Sequence, residues 1–204
     1  MKKRGWIWIV LLVAVWATGC QSKDEEAFRE AARKGNMNEV RQYLAKGVDV
    51  NARDNVGQAA LMWAALENRV EMAKLFIQHG ADVNIQEITG QTPIMWAAAI
   101  GQVDMIRYLL SQGADINFKD HKKWTALMWA SLNGHNTAVQ ALLEGGAEVN
   151  TVSEGGWTAL TLASRKGRIA TMRLLASKGA DLNGAMVWAS QKGHTSIVEL
   201  LKKL

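Results

Sequence analysis

Apolar residues recur at helical spacing in short blocks along the chain. In the segment 103–111 they fall on one side of a helix of about 3.6 residues per turn: Val103, Met105, Ile106, Leu109 and Leu110. Just upstream, Thr92 is a good N-cap, Pro93 suits the first helical position, and Gly101 favours a helix end. The pattern therefore predicts two helices, over about 93–100 and 103–111, followed by an extended segment.

The same arrangement returns every 33 residues. Gly80-Ala81-Asp82-Val83-Asn84 reappears with small changes at 113–117, 146–150 and 179–183, and an earlier copy lies at 47–51. A fixed period of this length marks a stack of units in which each buries its apolar face against its neighbours. We therefore expect an all-α repeat solenoid with units near 24–47, 48–80, 81–113, 114–146, 147–179 and 180–204.

The last unit is shorter than the others. Aligning the segment from Trp188 to His194 with the segment from Trp129 to His135 gives an offset of 59 residues, whereas two full periods would give 66. Seven residues of the extended segment are therefore missing after Asn183. We expect about six helix pairs, with the last connecting segment truncated.

The repeated segment resembles a known family. Gly90-Gln91-Thr92-Pro93-Ile94-Met95-Trp96-Ala97-Ala98, followed by two helices and Gly-Ala-Asp-Ile-Asn at 113–117, is similar to the ankyrin repeat. The resemblance covers about residues 24–204. It implies helix–turn–helix units joined by hairpin-like loops, called fingers below, and a concave groove that in this family mostly binds proteins. The His of the family pattern is absent, so its hydrogen bond to the loop is not expected. The residues that replace it are Met62, Met95, Met128 and Thr161.

The N-terminus predicts export and lipid attachment. Lys2, Lys3 and Arg4 precede an apolar run of about 11 residues at 6–16, which is too short to span a bilayer and fits a signal peptide over 1–19. The following Ala17-Thr18-Gly19-Cys20 resembles the lipobox of bacterial lipoproteins, although Ala17 replaces the usual Leu. This implies lipidation of Cys20 and a short tether at 20–23. An ordinary signal peptide or an uncleaved anchor is the alternative.

The single cysteine and the charge agree with this interpretation. Cys20 is the only cysteine, so it cannot form an internal disulfide, and lipidation would remove an exposed thiol. By analogy with lipoprotein sorting, Gln21 favours the periplasmic face of the outer membrane within a bacterial cell envelope. Without residues 1–19, 21 Lys and Arg face 19 Asp and Glu, so charge gives little support for nucleic-acid binding.

Candidate partner-binding residues lie on the first helices and at the fingertips. Trp63, Trp96, Trp129 and Trp188 share one position of the repeat, where each either packs over the Met of its own unit and the base of the finger or contributes to an aromatic ladder along the groove. The tips 54–56, 87–89, 120–122 and 153–155 differ between units, as expected of residues free of packing. The full set of candidates is Trp63, Trp96, Ile100, His121, Lys122, Trp124, Trp129, Trp157, Arg165 and Lys166.

Catalytic motifs are missing from the sequence. It contains no His-x-x-x-His pair, no phosphate-binding Gly-rich loop and no Gly-x-Ser-x-Gly elbow, so we expect no enzyme, cofactor or metal. The prediction is a lipid-anchored protein-binding module, for example an immunity or accessory factor for an exported protein. The alternative is a small-ligand or glycan binder that stacks its ligand on the Trp residues. Residues 118–204 carry 11 Lys and Arg against 6 Asp and Glu, which is scattered solvated charge or a surface that steers an acidic partner.

Overall fold

A computed structural model describes residues 23–204 as a series of helix pairs. The first helix, α1, covers 23–34. Eleven more follow: α2 Met37–Ala45, α3 Ala60–Leu66, α4 Val70–Gln78, α5 Pro93–Ile100, α6 Val103–Ser111, α7 Ala126–Asn133, α8 Asn136–Glu144, α9 Ala159–Arg165, α10 Ile169–Ser177, α11 Asn183–Gln191 and α12 Thr195–Leu201. The predicted signal peptide and Cys20 lie outside the described residues, and both stay predictions.

The helices form two layers. The inner layer contains α3, α5, α7, α9 and α11, each packed on the next, and the outer layer contains α4, α6, α8 and α10. Small side chains permit the close approach of the inner helices, since the same position is a fully buried alanine in four consecutive units: Ala64, Ala97, Ala130 and Ala163. Within residues 23–204 no strand forms, and the all-α repeat solenoid expected from the 33-residue period is confirmed.

Four fingers of equal length join the helix pairs. They cover residues 46–59, 79–92, 112–125 and 145–158, whereas only residues 178–182 join α10 to α11. The truncation predicted for the last connection is therefore present. Helix α11 begins at Asn183, two residues before Ala185, the counterpart of the first residue of α9. The repeated motif at 179–183 therefore leads directly into α11, without a finger between them.

The repeated Asn links each unit to the next. Asn51 accepts a hydrogen bond from the backbone N–H of Asp82 at 2.8 Å and donates to the carbonyl of Gly80 at 3.0 Å. Asn150 makes the same two bonds to Asp181 and Gly179, at 2.8 and 3.0 Å. The motif that reveals the period is therefore a side-chain bridge between units.

A second ladder runs through the turns between paired helices. At intervals of 33 residues a side chain donates to a carbonyl at the end of the preceding inner helix. In one of these contacts the imidazole Nε2 of His135 lies 3.0 Å from the oxygen of Ala99, and the ring covers Gly101. The series consists of Arg69, Gln102, His135 and Arg168.

Thr92 occupies the predicted N-cap position of α5, but its side chain does not make the capping hydrogen bond. Thr92 precedes α5 in extended conformation, but its buried Oγ1 has no hydrogen-bond partner among the described residues. The N–H of Met95 donates to the Thr92 carbonyl instead, at 3.0 Å. In the next unit the Thr125 hydroxyl does accept a bond from Met128, at 3.4 Å.

Candidate functional site

The fingertips form a continuous wall beside the inner helices. Each tip donates one backbone hydrogen bond to the tip before it, each 3.0 Å long. The donors and acceptors are Ile88 to Val56, His121 to Thr89, and Glu154 to Lys122. The surface between this wall and the inner helices, called the groove below, therefore has rigid boundaries on both sides.

The first residue of each tip has a structural role. The Asp120 carboxylate accepts hydrogen bonds from the backbone N–H groups of Lys122 and Trp124, at 2.9 and 2.8 Å. The expectation that whole tips are free of packing duty is therefore wrong at this position, because an oxygen there closes the turn. Asp54 and Glu87 accept the same two bonds in their tips, and the Ser153 hydroxyl accepts one, from the N–H of Trp157.

Four of the predicted site residues meet in one cleft. The indole rings of Trp124 and Trp129 lie 4.7 Å apart between centroids, tilted by 49°, and both are half-buried. They form part of a cavity of about 370 Å³, called the Trp124–Trp129 cleft below. It is lined by Ile88, Thr89, Gln91, Asp120, His121, Lys122, Trp124 and Trp129.

Sequence reasoning missed four of these lining residues as site candidates, namely Asp120 and three residues of the preceding finger. Ile88, Thr89 and Gln91 occupy the repeat positions of His121, Lys122 and Trp124, one period earlier. The bond from the His121 N–H to the Thr89 carbonyl holds the two tips together. The 33-residue register could have identified these residues, because consecutive fingers contribute equivalent positions to one cleft.

The Trp residues nearer the N-terminus have a different arrangement. Trp63 and Trp96 make an edge-to-face contact, with centroids 5.6 Å apart and planes at 86°. Trp96 packs against a cluster formed by Ala59 and Met62 of the preceding unit and Ile85 of its own, so the Met in this cluster is Met62, whereas packing over Met95 was expected. Among the described residues its Nε1 is a buried donor with no partner, and so is the Nε1 of Trp129. It is the packing against Met62 that favours a packing role at position 96.

Trp63 lines a separate cleft near the N-terminal end of the groove. That cleft, of about 500 Å³, is lined by Glu26, Arg29, Glu30, Arg33, Asp54, Asn55 and Trp63. Arg33 donates twice to Glu30, at 2.7 Å, and the Lys34 ammonium lies 3.2 Å away. These hydrogen bonds, chiefly that from Arg33, lower the pKa of Glu30 to about 2. The charges here largely neutralise one another.

The remaining predicted residues do not line the Trp124–Trp129 cleft. The Arg165 guanidinium lies 5.4 Å from the ring centroid of the half-buried Trp157, within the range of a cation–π contact. Lys166 is exposed, and Ile100 at the end of α5 is 51% exposed. Together with Trp96 and Trp63, these positions are distributed along the groove, and their role in binding stays a prediction.

Residues 23–204 contain no group of three or more His, Cys, Asp or Glu side chains placed to hold a metal ion. In the same residues, none of the helices has the length and apolar content required to cross a bilayer.

Comparison with known proteins identifies the repeats. A family model described as ankyrin repeats (3 copies) matches residues 11–87, 28–120, 85–153 and 113–185. The chain belongs to the ankyrin repeat family. The ankyrin repeat is a protein–protein interaction module, and this matches the groove described above.

Two curated relatives of this ankyrin repeat chain are mitochondrial disaggregases. The human protein is 39% identical over 70 residues, which cover 32% of this chain and 10% of the relative. The Bos taurus protein is 46% identical over 56 residues, covering 28% of this chain and 8% of the relative. The chain therefore spans about a tenth of the length of these relatives.

Proposed function

We propose that this ankyrin repeat protein is a non-catalytic binding module that is lipid-anchored in the bacterial cell envelope and holds a protein partner in its groove. The observation that carries the proposal is the Trp124–Trp129 cleft, where the half-buried indoles of Trp124 on the third finger and Trp129 on α7 lie together beside the stacked fingertips. Tryptophan offers large, rigid contact area and is enriched among the residues that dominate binding energy at interfaces. An immunity or accessory factor for an exported protein would use such a groove to cover its partner.

The anchoring half of the proposal is supported by the N-terminal sequence. The lipobox-like Ala17-Thr18-Gly19-Cys20 follows an apolar run of signal-peptide length. Helix α1 includes residue 23, three positions after Cys20, and three residues span at most about 10 Å. A lipid on Cys20 would therefore hold the first unit close to the bilayer. With Gln21 after the cysteine, we propose the periplasmic face of the outer membrane.

Site-specific photo-crosslinking tests the groove. p-Benzoylphenylalanine is placed at position 88 in the cleft and, as a control, at position 137 on the outer helix α8, which is also exposed. We expect a discrete protein adduct from position 88 and none from position 137. Trp129→Ala should reduce the adduct, because it removes one wall of the cleft. Equal adducts from both positions would contradict binding through the groove.

Metabolic labelling tests the anchor. Cells grown with radiolabelled palmitate should label the wild-type protein, whereas Cys20→Ser should be unlabelled and recovered from the soluble fraction. A Ser22→Ala variant controls for substitution beside the cleavage site. Membrane association that survives in Cys20→Ser would count against lipid anchoring.

A small-ligand or glycan binder is the alternative. The Trp124–Trp129 cleft, at about 370 Å³, lies within the range of roughly 300–1,000 Å³ found for small-molecule pockets. The indole planes, however, meet at 49° and 86° within the two described pairs, so they offer no flat row for successive sugar rings. Shifts of the indole N–H signals of Trp124 and Trp129 on titration with cell-wall fragments would support this alternative.

A further inference from the structure

The basic residues of the C-terminal half are not used in internal ion pairs. Residues 118–204 carry 11 Lys and Arg against 6 Asp and Glu. Every ion pair within 4.0 Å among the described residues takes its cation from the N-terminal half: Arg33, Lys34, Lys46, Arg69, Lys74 and Arg107. The positive charge beyond residue 117 is therefore available to a partner.

This charge borders the Trp124–Trp129 cleft. Lys122 lines the cleft, and Lys119 and Lys123 lie on the same finger and are exposed. Asp120 is the only carboxylate among residues 119–123, so its charge offsets one of these three lysines. The immediate rim is thus positive.

The next unit extends the same surface. Its fingertip is bonded to the cleft through the Glu154 N–H and the Lys122 carbonyl, and its Trp157 contacts Arg165. Lys166 follows Arg165 and is exposed. Over residues 119–123, the fourth tip and the end of α9, five basic side chains accompany two acidic ones, Asp120 and Glu154.

The apolar part of the cleft lining is formed by Ile88, which is 64% exposed, and by the two half-buried indoles. An apolar hollow with a cationic rim is complementary to a bulky apolar side chain flanked by carboxylates. The cleft near Trp63 lacks this combination, since Glu30 there is paired with Arg33 and Lys34.

We infer that the Trp124–Trp129 cleft binds an acidic segment of the partner protein, with one bulky apolar side chain inserted between Ile88 and the indoles. The carboxylates of this acidic segment pair with Lys122 in the cleft and with Lys123, Arg165 and Lys166 on the adjoining surface. This rests on the proposed function and adds the chemistry of the partner. Rim charges of this kind act mainly on the rate and selectivity of encounter.

The test uses the full-length chain in its native envelope. p-Benzoylphenylalanine is placed at position 88, or at Val152, which directly precedes the fourth tip and is 54% exposed. It is combined with Lys122→Glu/Lys166→Glu or with a control, Arg173→Glu/Lys178→Glu. The control makes the same change in net charge at exposed positions on and just after the outer helix α10. Adduct yield is measured, the crosslinked peptide is identified by mass spectrometry, and thermal unfolding followed by circular dichroism checks that each variant is folded.

The expected result is a crosslinked protein peptide rich in Asp and Glu that carries a Leu, Ile, Met or aromatic residue. Its yield should fall about tenfold in the groove variant, as expected when charge pairs become like-charge contacts, and stay unchanged in the control. A neutral or basic peptide, a lipid or glycan adduct, or equal yields from both double variants would overturn the inference. Failure to obtain an adduct from either position would overturn the proposed function as well.

Discussion

The side-chain oxygen of Asn150 accepts a hydrogen bond from the backbone N–H of Asp181, at 2.8 Å, across the boundary between two repeat units. Asp181 in turn accepts a bond from the N–H of Asn183, at 3.0 Å, which closes its own turn. The Asn of the repeated motif therefore links adjacent units, and the Asp closes the turn to which that Asn bonds. Partner recognition depends on residues outside this motif.

Removing this bridge should destabilise the fold. In Asn150→Ala the Asp181 N–H and the Gly179 carbonyl both lose a partner, and we expect a loss of about 1–3 kcal/mol in the free energy of unfolding. The measurement is urea unfolding followed by circular dichroism.

Asn183 provides the matched control for that experiment. It occupies the same motif position, but its side chain donates only to Asp181 of its own motif, at 2.7 Å. Asn183→Ala should therefore change stability much less. Equal losses in the two variants would contradict a role for Asn150 between units.

Lys123 is held in a conformation that suits glycine. Its φ is 58°, and the other three fingers have Gly57, Gly90 or Gly156 at this position. A left-handed conformation raises the energy of a non-glycine residue by about 1–2 kcal/mol, while glycine adds about 0.5–1 kcal/mol of unfolded-state freedom. Lys123→Gly should therefore stabilise the protein slightly, which thermal unfolding can measure.

The reverse substitution is a direct check on the cause. Gly156 has φ 76°, and a Cβ there would have no heavy atom within 4 Å, so Gly156→Lys introduces backbone strain without a clash. It should lower the melting temperature. If Lys123→Gly lowers it as well, backbone strain is not what distinguishes the third finger.

How far the sequence predicts this molecule depends on whether an interaction lies within a unit or between units. The 33-residue period predicts the solenoid, and the apolar spacing predicts α6, which covers Val103–Ser111. The conformations of Asn68 and Lys123, with φ of 53° and 58°, follow from their alignment with glycines. These features are local, so residue type and spacing determine them.

Contacts between units could not be predicted in the same way. Trp96 covers Met62 of the preceding unit, and the cleft takes equivalent residues from two consecutive fingers. Whether the Thr92 hydroxyl caps α5 depends on which Thr92 oxygen accepts from the Met95 N–H, and in the structure this is the carbonyl and not the hydroxyl. Such partners are set by how units stack, and one unit's sequence does not contain that information.

The turn at Gly101 should tolerate no side chain. Its φ is 85°, and a Cβ would lie 2.8 Å from the ring of His135, whose Nε2 bonds to Ala99. Gly101→Ala should therefore lose about 1–2 kcal/mol to backbone strain and about 1 kcal/mol more from the displaced hydrogen bond. Chemical denaturation measures the sum.

Gly146 separates the two contributions. Its φ is 94°, and a Cβ there would contact nothing within 4 Å. Gly146→Ala should therefore show the strain alone and be the milder variant. Should the two alanine variants unfold at the same denaturant concentration, the contact between His135 and Gly101 contributes nothing to stability.

The ion pairs of Glu30 predict an unusually acidic carboxyl in the N-terminal cleft. Arg33, and to a lesser extent Lys34, lower its pKa to about 2 from a usual 4.5. Because the folded pKa lies below the unfolded one, the stabilisation is complete above about pH 4.5 and is lost as pH falls towards 2. Carbon-detected NMR titration should show this value, and Arg33→Gln should raise it towards 4.5. Arg29→Gln, in the same helix and cleft, should leave it in place. A wild-type Glu30 that titrates near 4.5 would mean that the Arg33 contact does not persist in solution.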